Sequence, residues 1–409
     1  MSPPAVDEAH RAFAAWFRAL AEQEAPRGTT IADGPDALAL VITHPDGRTA
    51  RLHLDNLFAE SRELSPDQRA ARARLFVRTL LGQRDEPSAW ADAAPGLRLA
   101  LRSAGYLSCA LDEEGRPRIV QRALAGLLSA CVVEDAASSI RMATRDDLAR
   151  WGRPEAEVFE RATRNLAAHA EGSIVPYGKK SERLFTVDAG DDYEASRLAI
   201  PGWLASFRRR VGGRPICAAP TRSLVVVGGD SPEALARLLD LAKREWRAST
   251  RRISPALYTV TDADQVVPLT LPKQHPHARA LAEASLVLAA HEHEDQQRAL
   301  EALFETQGRD VFVSELMALS HPVHGLTSRT VWSEGVHALL PEADEVVLLG
   351  RFAGEPRLVS VRAADLHAHA GRHLRERSDL VPRRWEVSSF PDEGELAALR
   401  RVATSDAEA

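Results

Sequence analysis

The densest group of residues able to bind or catalyse is Asp188-Ala189-Gly190-Asp191-Asp192-Tyr193-Glu194, followed by Arg197. Asp188, Asp191 and Asp192 offer several oxygens on a turning backbone, which hard cations such as magnesium or calcium require. The calcium-loop spacing with its distal glutamate is missing. The simpler expectation is a strand-to-helix loop whose aspartates cap a helix and favour its positive end. A second candidate is the turn Gly228-Gly229-Asp230-Ser231-Pro232-Glu233. Two glycines let backbone approach a ligand, and a helix N-terminus attracts anions. The spacing matches neither the phosphate loop nor the dinucleotide fingerprint, and Ser231-Pro232 equally suits an ordinary helix start. The candidate ligand-binding residues are therefore Asp188, Asp191, Asp192, Tyr193, Arg197, Gly228, Gly229, Asp230 and Ser231, with no catalytic residue, metal or cofactor assigned.

The histidines form a weaker pattern. His367, His369 and His373 read H-x-H-x3-H on an expected helix, where 369 and 373 share a face as zinc ligands can. His367 points elsewhere, so a solvated helix face is the expectation. His291-Glu292-His293-Glu294 has no second histidine at metalloprotease spacing. The nucleophile elbow G-x-S-x-G is absent. Cys131 and Cys217 lie in apolar runs, which suits buried, inert thiols; Cys109, in GYLSCALD, is less clearly of that kind. The basic runs Arg208-Arg209-Arg210, Arg251-Arg252 and Arg383-Arg384 have Trp203, Trp246 and Trp385 near them. Such combinations can bind nucleic acid, but solvated helix faces beside core tryptophans are expected.

These residues must be positioned by the elements around them. Phe13, Trp16, Phe17 and Leu20 recur at i, i+3, i+4 and i+7, which predicts an amphipathic helix over 5–24. Two β-rich runs around His44-Pro45-Asp46-Gly47 predict a hairpin, and Asp85-Glu86-Pro87-Ser88 reads as a linker. Residues 97–143 are expected to be mainly extended. Thr144 is an N-cap candidate, and Pro154 opens a helix to about 170. LFTVDAG, ICAAP and SLVVVGG are expected strands, with a helix over 194–211 interrupted near Pro201. Leu235, Leu238, Leu239 and Ala242 predict a helix from Ser231. Pro272 to Pro276 marks another boundary. One or two helices are expected over 277–307, then strands at 311–317, 328–332, 345–350 and 357–361, and helices near 363–376 and 392–402. The fold class is α+β, with two or three mixed units and largely antiparallel or mixed sheets: 1–85, 86–273 and 274–409.

Bulk properties exclude some classes. At 409 residues with 52 basic and 58 acidic side chains, the net charge is −6, which argues against general nucleic-acid binding. The positive charge is almost all arginine, as a GC-rich genome produces. Three widely spaced cysteines do not suggest a disulfide framework and fit a reducing compartment. The start of the chain lacks a signal-peptide pattern, and no apolar run approaches the roughly 20 residues of a membrane span. A cytoplasmic location is expected.

Three segments carry a family likeness. RLHLDNLFAE (51–60), SIRMATRDDLARWGRPEAEVFERATRNL (139–166) and DAGDDYEASRLAIPGWLASFRRRVGGRPICAAPTRSLVVVGGD (188–230) resemble, in that order, the YtpQ-like bacterial family, a domain of unknown function. VWSEGVHALLPEADEVVLL (331–349) and WEVSSFPDEGELAALRRVA (385–403) resemble the extension of longer members. The resemblance implies no activity, cofactor or catalytic residue. The functional expectation is a non-enzymatic binding, regulatory or scaffolding protein. One alternative is a hydrolase or transferase whose site joins 188–194 to 228–233. Another is a module whose C-terminal unit binds a partner protein through an exposed apolar patch.

Overall fold

In the computed structural model every residue is described except 1–2, 35, 44, 46, 48, 55–56, 59–60, 63, 83–88, 137–138, 171–172, 180–181, 322–324, 353–354 and 408–409. The chain forms two compact units, Met1–Ser88 with Ala136–Ile140, and Ala89–Asp135 with Arg141–Ala409. The class is α+β, and most strand pairs are antiparallel. Among the described residues no helix is long and apolar enough to cross a membrane. The 85–88 linker and two of the four residues of the 44–47 turn lie outside the described residues.

In the smaller unit the helix Pro3–Glu24 places Phe13, Phe17, Leu20 and Ala21 in one core. That core also takes Leu40 and Ile42 from the sheet β1 (Thr30–Asp33), β2 (Ala39–Thr43) and β3 (Thr49–His53), and Ala73 and Val77 from the helix Pro66–Gly82. The spacing of apolar residues on one helix face and of alternate residues on β2 is what makes both elements half-buried.

Next along the chain come β4 (Leu97–Ser103), β5 (Gln121–Ala125), β6 (Leu128–Ala136) and β7 (Ser139–Met142). In sheet order β4-β6-β5 the central strand carries buried Cys131, Val132 and Val133. They pack with Trp151, Val158, Phe159 and Leu166 from the helices Arg145–Trp151 and Glu155–His169. The first of these helices starts at Thr144, the N-cap candidate, where Asp147 accepts the Thr144 amide at 2.7 Å and completes a capping box.

Then come β8 (Ser173–Pro176), β9 (Phe185–Asp188), β10 (Ile216–Thr221), β11 (Leu224–Gly228), β12 (Leu257–Val260) and β13 (Val266–Pro268). They form one sheet in the order β13-β12-β10-β11-β9-β8. Its pleat separates two cores. Cys217, Ala219, Val225, Val227 and Tyr258 face one side; Ile216, Ala218, Val226 and Leu257 face the other, against Leu235, Leu238, Leu239 and Ala242 of the helix Pro232–Ala248. This period of two on strands and 3.6 on the helix is why the central region was readable.

Residues 194–211 do not form the expected interrupted helix. They make 3-10 turns at Ala195–Ala199 and Ala205–Phe207 and one α-turn at Arg208–Val211. Pro201 removes an amide, and Gly202 sits at φ +75°, where continued right-handed helix is impossible.

A single helix, Ala278–Gln307, follows. Leu281, Leu288, Leu300 and Phe304 form its apolar stripe, and Glu292, His293 and Gln296 are buried with them. Beyond it lie β14 (Phe312–Val313), β15 (Met317–His321), β16 (Gly325–Ser333), β17 (Ala338–Pro341), β18 (Glu345–Phe352), β19 (Glu355–Arg362), β20 (Arg375–Arg377) and β21 (Arg384–Val387). They form two sheets, β14-β17-β21-β20 and β15-β16-β18-β19. The helices Ala363–Ala370 and Glu393–Ala407 add Leu366, Leu396 and Leu399 to the core around Trp332. The expected helix to 376 stops early because Gly371–His373 is a 3-10 turn and β20 begins at Arg375.

Arg384 ties the long helix to this region. It is fully buried, and donates to Gln296 Oε1 (2.6 Å), Ser314 O (2.7 Å), His293 O (3.0 Å) and Leu339 O (3.1 Å). Gln296 in turn donates to Pro382 O at 2.6 Å. Arg384→Leu keeps the volume but strips four acceptors of their donor. A loss of about 3 kcal/mol or more is expected, read as a lowered denaturation midpoint. A loss under about 1 kcal/mol would show that the network is dispensable.

Candidate functional site

The acidic loop leaves the end of β9 and is closed by its own hydrogen bonds. Asp191 Oδ1 accepts the Tyr193 amide at 2.9 Å, and Glu194 Oε1 accepts the Asp191 amide at 3.2 Å. Asp192 is left-handed, φ +59°, a conformation aspartate tolerates better than most. Each aspartate that could reach a cation already holds one from the protein. Arg197, 1% exposed, pairs with Asp191 at 3.0 Å, and Arg251 pairs with Asp192 at 2.9 Å. Tyr193 is buried and donates to Asp135 Oδ2 at 3.2 Å. The Arg197 guanidinium and the Tyr193 amide hold the Asp191 carboxyl below its ordinary value, against the opposing effect of burial. Asp188 is exposed. The expected capping of a regular helix is therefore replaced by an arginine-locked turn.

The 228–233 turn is a helix start. Ser231 Oγ accepts the Ala234 amide at 3.2 Å, with Pro232 in the first helical position. Gly228 is required by packing, since a Cβ there would meet Leu184 Cδ2 at 2.6 Å. Gly229 is less confined, and Asp230 is exposed, near Gly213. The two candidate segments do not meet. β9 and β11 are antiparallel with Val226 opposite Thr186 and Val227 opposite Phe185. Asp188 and Gly228 therefore lie at opposite ends of the pair, about 13 Å apart along the strands, and their loops leave in opposite directions. The joint site expected of 188–194 with 228–233 is not formed.

The histidine trio disperses as well. His367 stacks edge-on with Trp385 at 4.5 Å. His373 lies beyond the helix, bonded to Glu395 at 3.0 Å and Ser389 at 2.6 Å. Among the described residues no group of three or more ligating side chains could hold a metal. Cys131 and Cys217 are buried free thiols, and burial pushes the Cys217 thiol well above its usual range. In the C-terminal region Leu349 and Leu358 are exposed and opposite each other across β18 and β19.

Sequence reasoning missed two features. The first is the pair Glu292–His293, which looks like solvated charge between His291 and Glu294. Glu292 is 1% exposed and accepts the Gly105 amide. Burial pushes its carboxyl up to about 8 and the neighbouring His293 imidazole down to about 3. Gly105 is forced here, because a Cβ would meet Glu292 O at 2.7 Å.

The second is a groove of about 250 Å³ between the Pro232–Ala248 helix and the first turns of the long helix. Leu239, Trp246, Ala284 and Val287 are among its walls. At one end His277 Nε2 meets Pro232 O at 2.9 Å, tying the two helix starts together. Near Trp246, His291 stacks edge-on at 5.4 Å and Arg252 lies over the indole at 4.9 Å. Lys243 and Glu283 pair across the helices at 3.6 Å. Arg247, at the rim, is exposed and makes no ion pair among the described residues. Helical periodicity places these residues on their helices but does not reveal that the helices diverge enough to leave a cavity.

Comparison with known proteins found no matching family model, no matching curated protein and no matching solved structure.

Two outcomes follow from the site's geometry. Magnesium, calcium or manganese should leave the melting temperature unchanged, while Asp191→Asn should cost about 3 kcal/mol by leaving Arg197 buried and unpaired. A saturable metal-induced rise in melting temperature would contradict this. Glu292 titrates near 4.5 when unfolded and near 8 when folded. The folded protein thus keeps a proton that the unfolded chain has released, and stability falls as pH rises across that window. Relative to the native chain, Glu292→Gln should gain on the order of 3 kcal/mol between pH 5 and pH 8.5. A pH-independent difference would contradict the assignment.

Proposed function

We propose that the protein works by binding, in a non-enzymatic or regulatory role, a small molecule with an apolar body and an anionic end. The observation that carries this is the groove between the two helices, a cavity of about 250 Å³ walled by Leu239, Trp246 and Val287 with Arg247 at its rim. A mostly apolar concavity with a few polar groups is what small-molecule sites share. The apolar body would lie against Trp246 and Val287, and the anionic end would meet Arg247. The His277 bond to Pro232 and the Lys243–Glu283 pair support a cavity that exists before the ligand arrives, which lowers the ordering cost of binding.

Asp191 and Asp192 of the 188–194 loop are held in ion pairs with Arg197 and Arg251, so they support architecture in this reading. A place in the YtpQ-like family and in the bacterial cytoplasm belongs to the same proposal.

The dye 1-anilinonaphthalene-8-sulfonate has the required apolar body and anionic end. It should bind the folded protein once, with a Kd on the order of 10 µM, and octanoate should displace it. Ala284→Trp, which fills the groove, should weaken binding at least tenfold while the melting temperature stays within a few degrees. Undiminished binding by a folded Ala284→Trp protein would exclude the groove.

A further inference from the structure

Arg102 lies at the end of β4, and Arg222 on the tight turn between β10 and β11. Both guanidinium groups pack on one aromatic ring: the Tyr106 centroid is 6.0 Å from Arg102 Cζ and 5.0 Å from Arg222 Cζ. Arg102 is 7% exposed and Arg222 is half-buried. Tyr106 is 39% exposed and marks where solvent reaches the group.

The surrounding arginines are neutralised. Arg98 pairs with Asp135, Arg197 with Asp191 and Arg251 with Asp192. Arg102 and Arg222 differ, because neither has a carboxylate partner among the described residues. The Nε of each is buried without a hydrogen-bond partner among them, as are those of Arg98 and Arg197, so the missing carboxylate is what sets this pair apart. Arg102 has one side-chain bond, from Nη1 to Leu101 O at 2.7 Å. Burial first, then the neighbouring Arg222, holds Arg102 below its ordinary pKa.

Two adjacent cations with no counter-charge among the described residues, one of them removed from water, are costly unless an anion offsets them. The fold nonetheless holds them in place. Strand pairing and the Ala195–Ala199 turn fix their backbones: Leu101 donates to Ser196 Oγ at 3.0 Å, and Ala195 donates to Arg222 O at 3.2 Å. The Tyr106 turn is held to the long helix through the Gly105 amide on Glu292.

We propose that Arg102 and Arg222, meeting at the Tyr106 ring, form a binding site for a small-molecule phosphate monoester. Arginine forks match phosphate oxygens in pairs. A phosphate monoester carries nearly two negative charges at neutral pH, which matches two guanidinium groups; a carboxylate brings one. This site is separate from the helix groove and stands whether or not that groove binds a ligand.

The test is calorimetric titration of the full chain with inorganic phosphate, phenyl phosphate and acetate at fixed ionic strength. Saturable one-to-one binding of both phosphates is expected, with acetate at least tenfold weaker. Arg222→Gln should weaken the phosphates at least tenfold. Arg222→Lys, which keeps charge but not the fork, should fall between. Arg209→Gln with Arg214→Gln, which removes two other exposed arginines, should leave binding unchanged. No saturable phosphate binding up to about 10 mM, or binding lost in the 209/214 double variant but kept by folded Arg222→Gln, would overturn the assignment.

Discussion

The larger unit depends on the polar stripe of its long helix. Glu292, His293 and Gln296 are buried among Leu288, Leu300 and Phe304, in an environment where each polar group needs a partner. Each of the three residues makes at least one bond, by side chain or main chain, to a different part of the chain. Glu292 accepts the amide of Gly105, His293 offers its main-chain oxygen to Arg384, and Gln296 reaches both Arg384 and Pro382. A stripe of leucines alone would pack against many surfaces. Glu292 Oε1 and His293 Nδ1 are buried without a hydrogen-bond partner among the described residues, but the bonds made by Glu292 Oε2, the His293 main-chain oxygen and Gln296 favour one arrangement, because a slip of the helix would break them. The segment 274–409, read from sequence as a separate region, thus falls in the same compact unit as 89–135 and 141–273.

The same requirement explains the closed form of the acidic loop. Asp191 and Asp192 neutralise Arg197 and Arg251, and Tyr193 and Arg98 share Asp135. Those carboxylates are spent on buried or half-buried cations, and their geometry fixes the turn that follows β9. Against that background two places stand out physically: a helix groove whose rim carries Arg247, and an arginine pair with no carboxylate partner among the described residues.

Much of the fold was legible where one period dominates. Leu235, Leu238, Leu239 and Ala242 announced the Pro232–Ala248 helix, and the runs ICAAP and SLVVVGG announced β10 and β11. The reading failed where local pattern competes with long-range contacts. Residues 194–211 carry helical spacing, but Pro201, Gly202 and the buried Arg197 turn them into 3-10 pieces. β20, Arg375-Glu376-Arg377, is charged at every position and looks like surface loop; its alternation becomes meaningful when Glu386 and Trp385 of β21 lie opposite. β17 and β21 are four residues each, too short to show a period. Of the site residues named from sequence, Asp192 is paired by Arg251 and Tyr193 is bonded to Asp135, both neighbours distant in sequence. Glu292, His293, Arg102 and Arg222 could not be singled out, since burial of a charged residue depends on partners that sequence spacing does not display.

The account rests most heavily on the long helix acting as a shared strut. Hydrogen-exchange mass spectrometry of Arg384→Leu against the native chain tests it directly. If the polar stripe couples the unit, protection should fall in β17 and β21, beside the substitution, and also in β4, β10 and β12, none of which bonds that arginine among the described residues. A loss of protection confined to residues 312–407, with β4, β10 and β12 unchanged, would contradict the account and make the C-terminal region an independent body.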